Sequence, residues 1–221
     1  MERIESTYSL KKEGKVTVRL SSADVFIKGT DGDQVKVAMI KRRPESAIPL
    51  IEATEEELII KSGDKRTSGE FRREPNKGLG QGLWETIWDT VSSGLKEVGI
   101  NLSLEKDEVD LELSLPRGII LDFFTVSGDL AVQDWEGELY FRSASGDCRL
   151  RNIKGRAKMR SSSGDIRVEG FEGPLSVNTT SGDIDMEEIK GDLKCETLSG
   201  DMELGRIQGN GNFSLISGDL R

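Results

Sequence analysis

The chain has 221 residues, 35% of them hydrophobic, with 25 glycines and a formal charge of −9. That length buries a real core, and the apolar share is that of a globular protein rather than a disordered one. The acidic balance argues against general affinity for nucleic acid, which needs a net basic face, and the complete absence of histidine excludes Ser-His-Asp and Cys-His catalysis and most zinc chemistry.

The N-terminal stretch MERIESTYSLKKEGK lacks the apolar segment of a signal peptide, and no run approaches the ~18 apolar residues of a membrane span. As written, the chain reads as soluble and cytoplasmic; the alternative is the cell envelope, if a longer precursor was trimmed. Residues 1–64 read as the β-rich N-terminal part of the fold. Within KVTVRLSSADVFIKGTDGDQVKVAMIKR, Ser22-Ala23-Asp24 precedes Val25-Phe26-Ile27, and Gly32-Asp33 follows; LIEATEEELIIKS supplies a further strand or two. Residues 65–108 have a different texture. RTSGEFRREPNKGLGQG is polar and charged, a loop, and LWETIWDTVSSGLKEVG sets Trp84, Ile87, Trp88, Val91, Leu95 and Val98 at helical spacing, which predicts an inserted amphipathic helix over about 82–98. We expect it to cap or brace an exposed end of the fold. Trp84 and Trp88 on one stripe are also candidate partner contacts. Membrane contact through this helix is disfavoured, because Glu85, Asp89, Lys96 and Glu97 make its polar face acidic where interfacial helices are basic.

Residues 109–221 carry a repeat. VDLELSLPRGIILDFFTV, residues 109–126, is a degenerate lead-in coil, with Val109, Leu111, Leu113 and Leu115 alternating before Pro116 and Gly118. The triplet Ser-Gly-Asp then begins at Ser127, Ser145, Ser163, Ser181, Ser199 and Ser217, always 18 residues apart. A fixed short period means stacked supersecondary units. Counting from each serine, positions 4 (Leu130, Cys148, Ile166, Ile184, Met202) and 6 (Val132, Leu150, Val168, Met186, Leu204) are apolar, and position 11 is glycine from Gly137 to Gly209. Position 9 (Trp135, Ile153, Phe171, Ile189, Ile207) and position 15 (Phe141, Met159, Val177, Cys195, Phe213) are apolar as well. Each unit thus holds two short alternating strands separated by a glycine corner. The fold class is all-β: a parallel β-solenoid, β-helix- or β-roll-like, of 18-residue coils with like positions stacked ~4.8 Å apart. Position 10 supports this register, because Glu136, Lys154, Glu172, Lys190 and Gln208 alternate in sign up the stack.

In the triplet, small Ser and permissive Gly suit a tight corner, and Asp can accept hydrogen bonds from the amides that open the next strand. Asp129, Asp147, Asp165, Asp183, Asp201 and Asp219 also form a ladder of like charges that a calcium ion would relieve, although each coil has one Asp triplet where calcium β-rolls have two acidic motifs. Cys148 and Cys195 fall on inward rows of non-adjacent coils, as buried small hydrophobes rather than a disulfide. The sequence stops at Ser217-Gly-Asp-Leu-Arg221, part-way through a coil, from which we expect self-association through the open C-terminal coil.

The tandem Ser-Gly-Asp units, the stretch ADVFIKGTDGDQVKV and the segment VDLELSLPRG together resemble the bacterial putative adhesin domain family. The resemblance implies a right-handed parallel solenoid, no catalytic residues, and a link to the bacterial cell envelope or its stress response. The expected function is therefore a non-enzymatic binding or scaffold module for a protein or cell-surface partner, without a cofactor. Basic residues crowd the first two coils, and Arg149, Arg151, Arg156 and Lys158 are partner-binding candidates; the acidic fourth coil gives the stack a charge polarity. The alternatives are a polysaccharide-acting β-helix enzyme, which would need a cleft with paired carboxylates, and a calcium-stabilised structural β-roll.

Overall fold

A computed structural model describes residues 2–42, 48–62 and 109–221. The helix expected over 82–98, with Trp84 and Trp88, lies outside the described residues. The described segments all belong to one compact unit, residues 1–63 together with 106–221. Among them are seventeen strands and no helix. In chain order they are β1 (Glu2–Ser9), β2 (Lys15–Leu20), β3 (Val25–Thr30), β4 (Gln34–Lys41), β5 (Leu50–Ala53), β6 (Glu57–Lys61), β7 (Val109–Pro116), β8 (Ile119–Thr125) and β9 (Leu130–Ser143). They continue with β10 (Cys148–Ser163), β11 (Ile166–Glu172), β12 (Leu175–Ser181), β13 (Ile184–Lys190), β14 (Leu193–Ser199), β15 (Met202–Leu204), β16 (Ile207–Gln208) and β17 (Gly211–Ser217).

The repeat is a parallel solenoid whose register is the sequence period. Cys148 pairs with Leu130 below and Ile166 above, Ile166 with Ile184, and Ile184 with Met202. A second ladder, past the glycine corner, pairs Leu121 with Leu139, Ala157 with Leu175, Leu175 with Leu193 and Leu193 with Gly211. Each coil therefore contributes one strand to each ladder, and residues alternating inward stack into continuous apolar rows. Trp135, Ile153, Phe171 and Ile189 form one such row, and Phe123, Phe141, Met159, Val177 and Cys195 another, all buried. The Phe123 and Phe141 rings stack at 5.8 Å and 14°, and Trp135 Nε1 donates to Pro116 O at 3.1 Å, so the largest core side chain leaves no polar atom orphaned. Both cysteines are free and buried, and burial pushes the Cys195 thiol up to about 12.

Two glycine rows make the corners possible, one of them Gly155, Gly173, Gly191 and Gly209, with φ of 120° to 143°. Gly164, Gly182, Gly200 and Gly218 have φ of 131° to 138°, a region that L side chains rarely adopt. A Cβ on Gly182 would also overlap the carbonyl of Gly164, and each glycine in the row meets the one beneath it in the same way. Coils can approach only because neither has a side chain there. A third row in the left-handed region was not legible as a pattern: Asp134, Asn152, Gly170 and Glu188, 18 apart, have φ of 53°, 53°, 72° and 58°. Asp, Asn and Gly tolerate this conformation; Glu188 carries its cost. Beside the triplet corner runs a buried hydroxyl row, Thr125, Ser143, Ser161, Thr179 and Thr197. Thr125 and Ser143 accept from the amides of Gly128 and Gly146, and the upper three donate to carbonyls two residues on.

The N-terminal strands join this stack out of chain order. Strand β3 is inserted between β7 and β9, with Val25 paired in parallel to Leu111 on one side and Leu130 on the other, while β2 lies between β6 and β8. Beyond them the ladder ceases to be parallel: β4 runs antiparallel to β7, β1 to β4, and β5 to β6. The β5–β6 link of three residues, 54–56, is a hairpin connection, too short for the crossover that a parallel pair requires.

Asp122 clasps the inserted arm. Its Oδ2 lies 2.7 Å from Arg19 Nη2 and 3.3 Å from Lys15 Nζ, both on β2, and its Oδ1 accepts from Arg142 Nη2 on β9 at 2.5 Å. Burial opposes ionisation of this carboxyl, but the Arg19 hydrogen bond and charge, with Arg142 and Lys15, outweigh it and hold its pKa below the usual range. A carboxyl depressed in the folded state contributes stability above its unfolded pKa of about 4 and loses it as pH falls through the lower folded value. Acid titration of the melting temperature should therefore show a loss below about pH 4 that Asp122→Asn removes, and at neutral pH this variant should be destabilised by roughly 2–4 kcal/mol because Arg19 and Arg142 each lose an ionic partner. Gly182→Ala should cost about 2–3 kcal/mol in chemical denaturation through strain and backbone overlap. A cost within 0.5 kcal/mol of zero, on the scale of a neutral surface change, would contradict the corner packing.

Candidate functional site

The Asp row is the first candidate, and the structure gives each carboxylate a definite partner. The amide of Asp147 donates to Asp129 Oδ1 at 2.9 Å, Asp165 to Asp147 at 2.9 Å, Asp183 to Asp165 at 3.0 Å, Asp201 to Asp183 at 2.8 Å and Asp219 to Asp201 at 2.9 Å. The acceptor relation thus runs between coils, from one Asp to the backbone of the next, rather than into the following strand of the same coil. Asp24 stands at the foot of the row and accepts from Asp129 N at 3.1 Å, so the weak motif Ser22-Ala23-Asp24 occupies a true rung. Charge-assisted bonds to backbone amides are among the stronger kind, and they offset repulsion between carboxylates stacked at the interstrand spacing. A shallow groove of about 270 Å³ follows this row past Asp147, Asp165, Asp183 and Asp201, with Arg149 and Arg167 on its flank. Among the described residues, no three His, Cys, Asp or Glu side chains converge closely enough to hold a metal ion.

The basic candidates separate into two groups, divided by the corner at Gly155. Arg149 and Arg151 lie on the first ladder and have acidic partners: Arg149 Nη2 is 3.6 Å from Asp147 Oδ2, and Arg151 Nε is 4.0 Å from Glu169 Oε2. The neighbouring cations follow suit, Lys154 with Glu172 at 3.3 Å and Arg167 with Asp185 at 2.8 Å. These are exposed pairs worth well under ~1 kcal/mol each, but they neutralise that face.

Arg156 and Lys158 lie on the second ladder, and with them stands Arg160, a cation that the sequence analysis did not single out. The three alternate outward along one half of β10 at ~7 Å intervals, and none has a carboxylate partner within 4.0 Å among the described residues. In the coil below, Glu138 is opposite Arg156 but accepts from Tyr140 Oη at 3.1 Å, Tyr140 is opposite Lys158, and Arg142 is opposite Arg160. In the coil above, the opposing residues are Asn178, Ser176 and the residue before Leu175, Pro174, none charged. A groove of about 530 Å³ opens from Arg156 and Lys158 past Pro174 and Ser176 toward Lys194 and Asn212. The pattern-level signal for this site was present in the charges, but the corner that parts Arg151 from Arg156 decides which cations can act together.

Three solved structures share the extent of the chain: a putative adhesin from Bacteroides fragilis (10% identity, 98% of this chain and 97% of that one, TM-score 0.44), a putative lipid binding protein from Parabacteroides distasonis (13%, 99% and 96%, TM-score 0.45), and a putative cell adhesion protein from Clostridium sporogenes (9%, 100% and 100%, TM-score 0.36). No match is found among curated proteins. The model of the family described as Toastrack DUF4097 matches residues 14–221, nearly the whole solenoid and its inserted N-terminal arm, and the chain belongs to that family.

Proposed function

We propose that this protein is a non-enzymatic binding module that takes an extended anionic partner along Arg156, Lys158 and Arg160. The observation that carries the reading is the run of three outward cations with no carboxylate partner within 4.0 Å among the described residues, on a chain whose net charge is −9. On the first ladder Arg151 meets Glu169, Lys154 meets Glu172 and Arg167 meets Asp185 up the stack; here three cations stand in a row along one strand without a carboxylate within 4.0 Å among the described residues, and a ligand that supplies negative charge relieves their mutual repulsion. A flat β surface with even spacing suits a repeating partner, such as an anionic envelope polymer or a layer of lipid headgroups, better than a single small molecule. The acids along the other groove support binding rather than acid–base turnover, since Asp147, Asp165, Asp183 and Asp201 accept from amides and Asp185 pairs with Arg167.

The test uses phosphatidylglycerol vesicles and soluble polyphosphate, with phosphatidylcholine vesicles as the neutral control. Each cation near an anionic surface contributes about 1 kcal/mol, so R156S/K158S/R160S should weaken binding roughly hundredfold and flatten its salt dependence, while R149S/R151S leaves it nearly unchanged. Equal loss from both variants, or none from the triple, sinks the proposal. The two arms separate a membrane from a free polymer.

The Asp row we assign to coil cohesion. Asp165→Asn keeps an oxygen that accepts from Asp183 N–H and should shift stability by under ~0.5 kcal/mol, whereas Asp165→Ala orphans that amide and should cost about 1–2 kcal/mol. The melting temperature should be the same with calcium as with a chelator. A calcium-dependent midpoint abolished by Asp165→Asn would instead favour the metal-bound roll.

A further inference from the structure

We propose that the anionic partner is a single phosphodiester chain with six bonds between successive phosphorus atoms, of the kind formed by glycerol phosphate linked through its terminal hydroxyls, lying along β10. This rests on the anion-binding reading and names its partner. The spacing of the cations sets the pitch. Arg156, Lys158 and Arg160 alternate with the buried Ala157 and Met159, so neighbouring cations are separated by two residues of extended backbone. Two such residues contain six backbone bonds and cover about 6.6 Å. A chain whose charges are also six single bonds apart has nearly the same pitch when extended, and three of its phosphates then fall over three cations within about 13 Å. Polyphosphate, with only two bonds between phosphorus atoms, crowds several charges onto each cation. Arg160 is half-buried, which limits how far the row can bunch onto one small anion.

The free charge is also narrow, one strand wide. One coil above, Ser176 and Asn178 stand opposite Lys158 and Arg160, with Pro174 before them, and none is charged. One coil below, Tyr140 donates to Glu138, and Arg142 is bound to Asp122. Two coils above, Asp192 accepts from Asn210 Nδ2 at 3.0 Å, and Lys194 lies 2.8 Å from Glu196. The groove that climbs from Arg156 toward Lys194 therefore gains no unpaired cation on the way, and the positive charge follows β10 instead.

That width favours a chain over a membrane. A planar layer of headgroups pressed on this face meets Glu138, Asp192 and Glu196 together with the cations, since two coils rise only about 10 Å and charges that close are incompletely screened at physiological salt. A chain one strand wide touches the cations and passes between the acids. Ser176, which has no hydrogen-bond partner among the described residues, stands beside this track above Lys158, where its hydroxyl can bond a hydroxyl of the polyol between two phosphates.

The experiment is calorimetric titration of the full chain with glycerol phosphate oligomers of two, three and six phosphates, with polyphosphates of matching length and with phosphatidylglycerol vesicles, each at several salt concentrations. Affinity for the oligomers should rise about fivefold from two phosphates to three, as one more cation is engaged, and little beyond. At three phosphates the slope of log K against log salt should be about −2, roughly 0.7 for each phosphate neutralised. K158S/S176K moves the middle cation one coil up the stack, ~4.8 Å, at unchanged net charge. It should weaken the three-phosphate oligomer about fivefold and leave vesicle binding unchanged, with an unaltered melting curve to keep folding out of the comparison. Polyphosphate or vesicles bound as tightly per phosphate as the oligomer, or an oligomer indifferent to K158S/S176K, overturns the in-register chain; if R156S/K158S/R160S still weakens those anions, the broader anion-binding reading stands without it. A triple variant that binds every anion as the parent chain does removes both together.

Discussion

The structure depends on one relation, the bond between an Asp carboxylate and the backbone amide of the Asp 18 residues later. It fixes the height of one coil over the next and the rotation between them, because donor and acceptor belong to the same residue type at the same corner. The glycine before each Asp allows the approach, and the apolar rows follow from it: once Asp165 sits over Asp147, Ile166 must sit over Cys148 and Phe171 over Ile153. The hydrophobic rows supply most of the favourable free energy, through area removed from water, but they are tolerant of size. Cys, Ile, Met and Leu share the position-4 row without disturbing the register. Directional bonds at the corner give the stack its single alignment, and burial makes that alignment stable.

Much of this was legible in the sequence because a period of 18 converts position directly into neighbourhood. The parallel ladders, the inward rows, the lead-in coil with Leu121 and Phe123 in step, and the burial of both cysteines all follow from counting. The rung at Asp24 was visible as a weak motif. Its place was not, since nothing in Ser22-Ala23-Asp24-Val25 says that its neighbours are Leu111 and Leu130, or that the inserted strand parts β7 from β9. Pairing between distant segments carries no local signature. The left-handed row was hidden for another reason: Asp134, Asn152 and Gly170 share a conformational tolerance that Glu188 lacks, so residue type stopped reporting backbone geometry at the fourth coil.

The candidate site shows a similar division. Counting basic residues found the crowded coils, yet four of the candidates, Arg149, Arg151, Arg156 and Lys158, straddle the corner at Gly155 and belong to two surfaces. On one, Arg149, Arg151, Lys154 and Arg167 each have an acid from the same or the next coil; on the other, Arg156, Lys158 and Arg160 face Glu138, which is bonded to Tyr140, then Tyr140, Arg142, Ser176 and Asn178. The difference is one of pairing rather than composition, and pairing appears only once the outward residues of adjacent coils are set side by side.

The intercalation of β3 has a consequence for how the chain comes off the ribosome. Leu111 follows Val25 by 86 residues, the difference between the two paired positions, and Leu130 follows later still. At ordinary elongation rates of about 5–20 residues per second, the first strands emerge roughly 4–17 s before the segment that flanks them exists. Strands β1 and β4, and β2, β5 and β6, can pair among themselves early, but β3 must wait for the middle of its own chain before either neighbour exists, and this interval is when a holding factor has the most to protect.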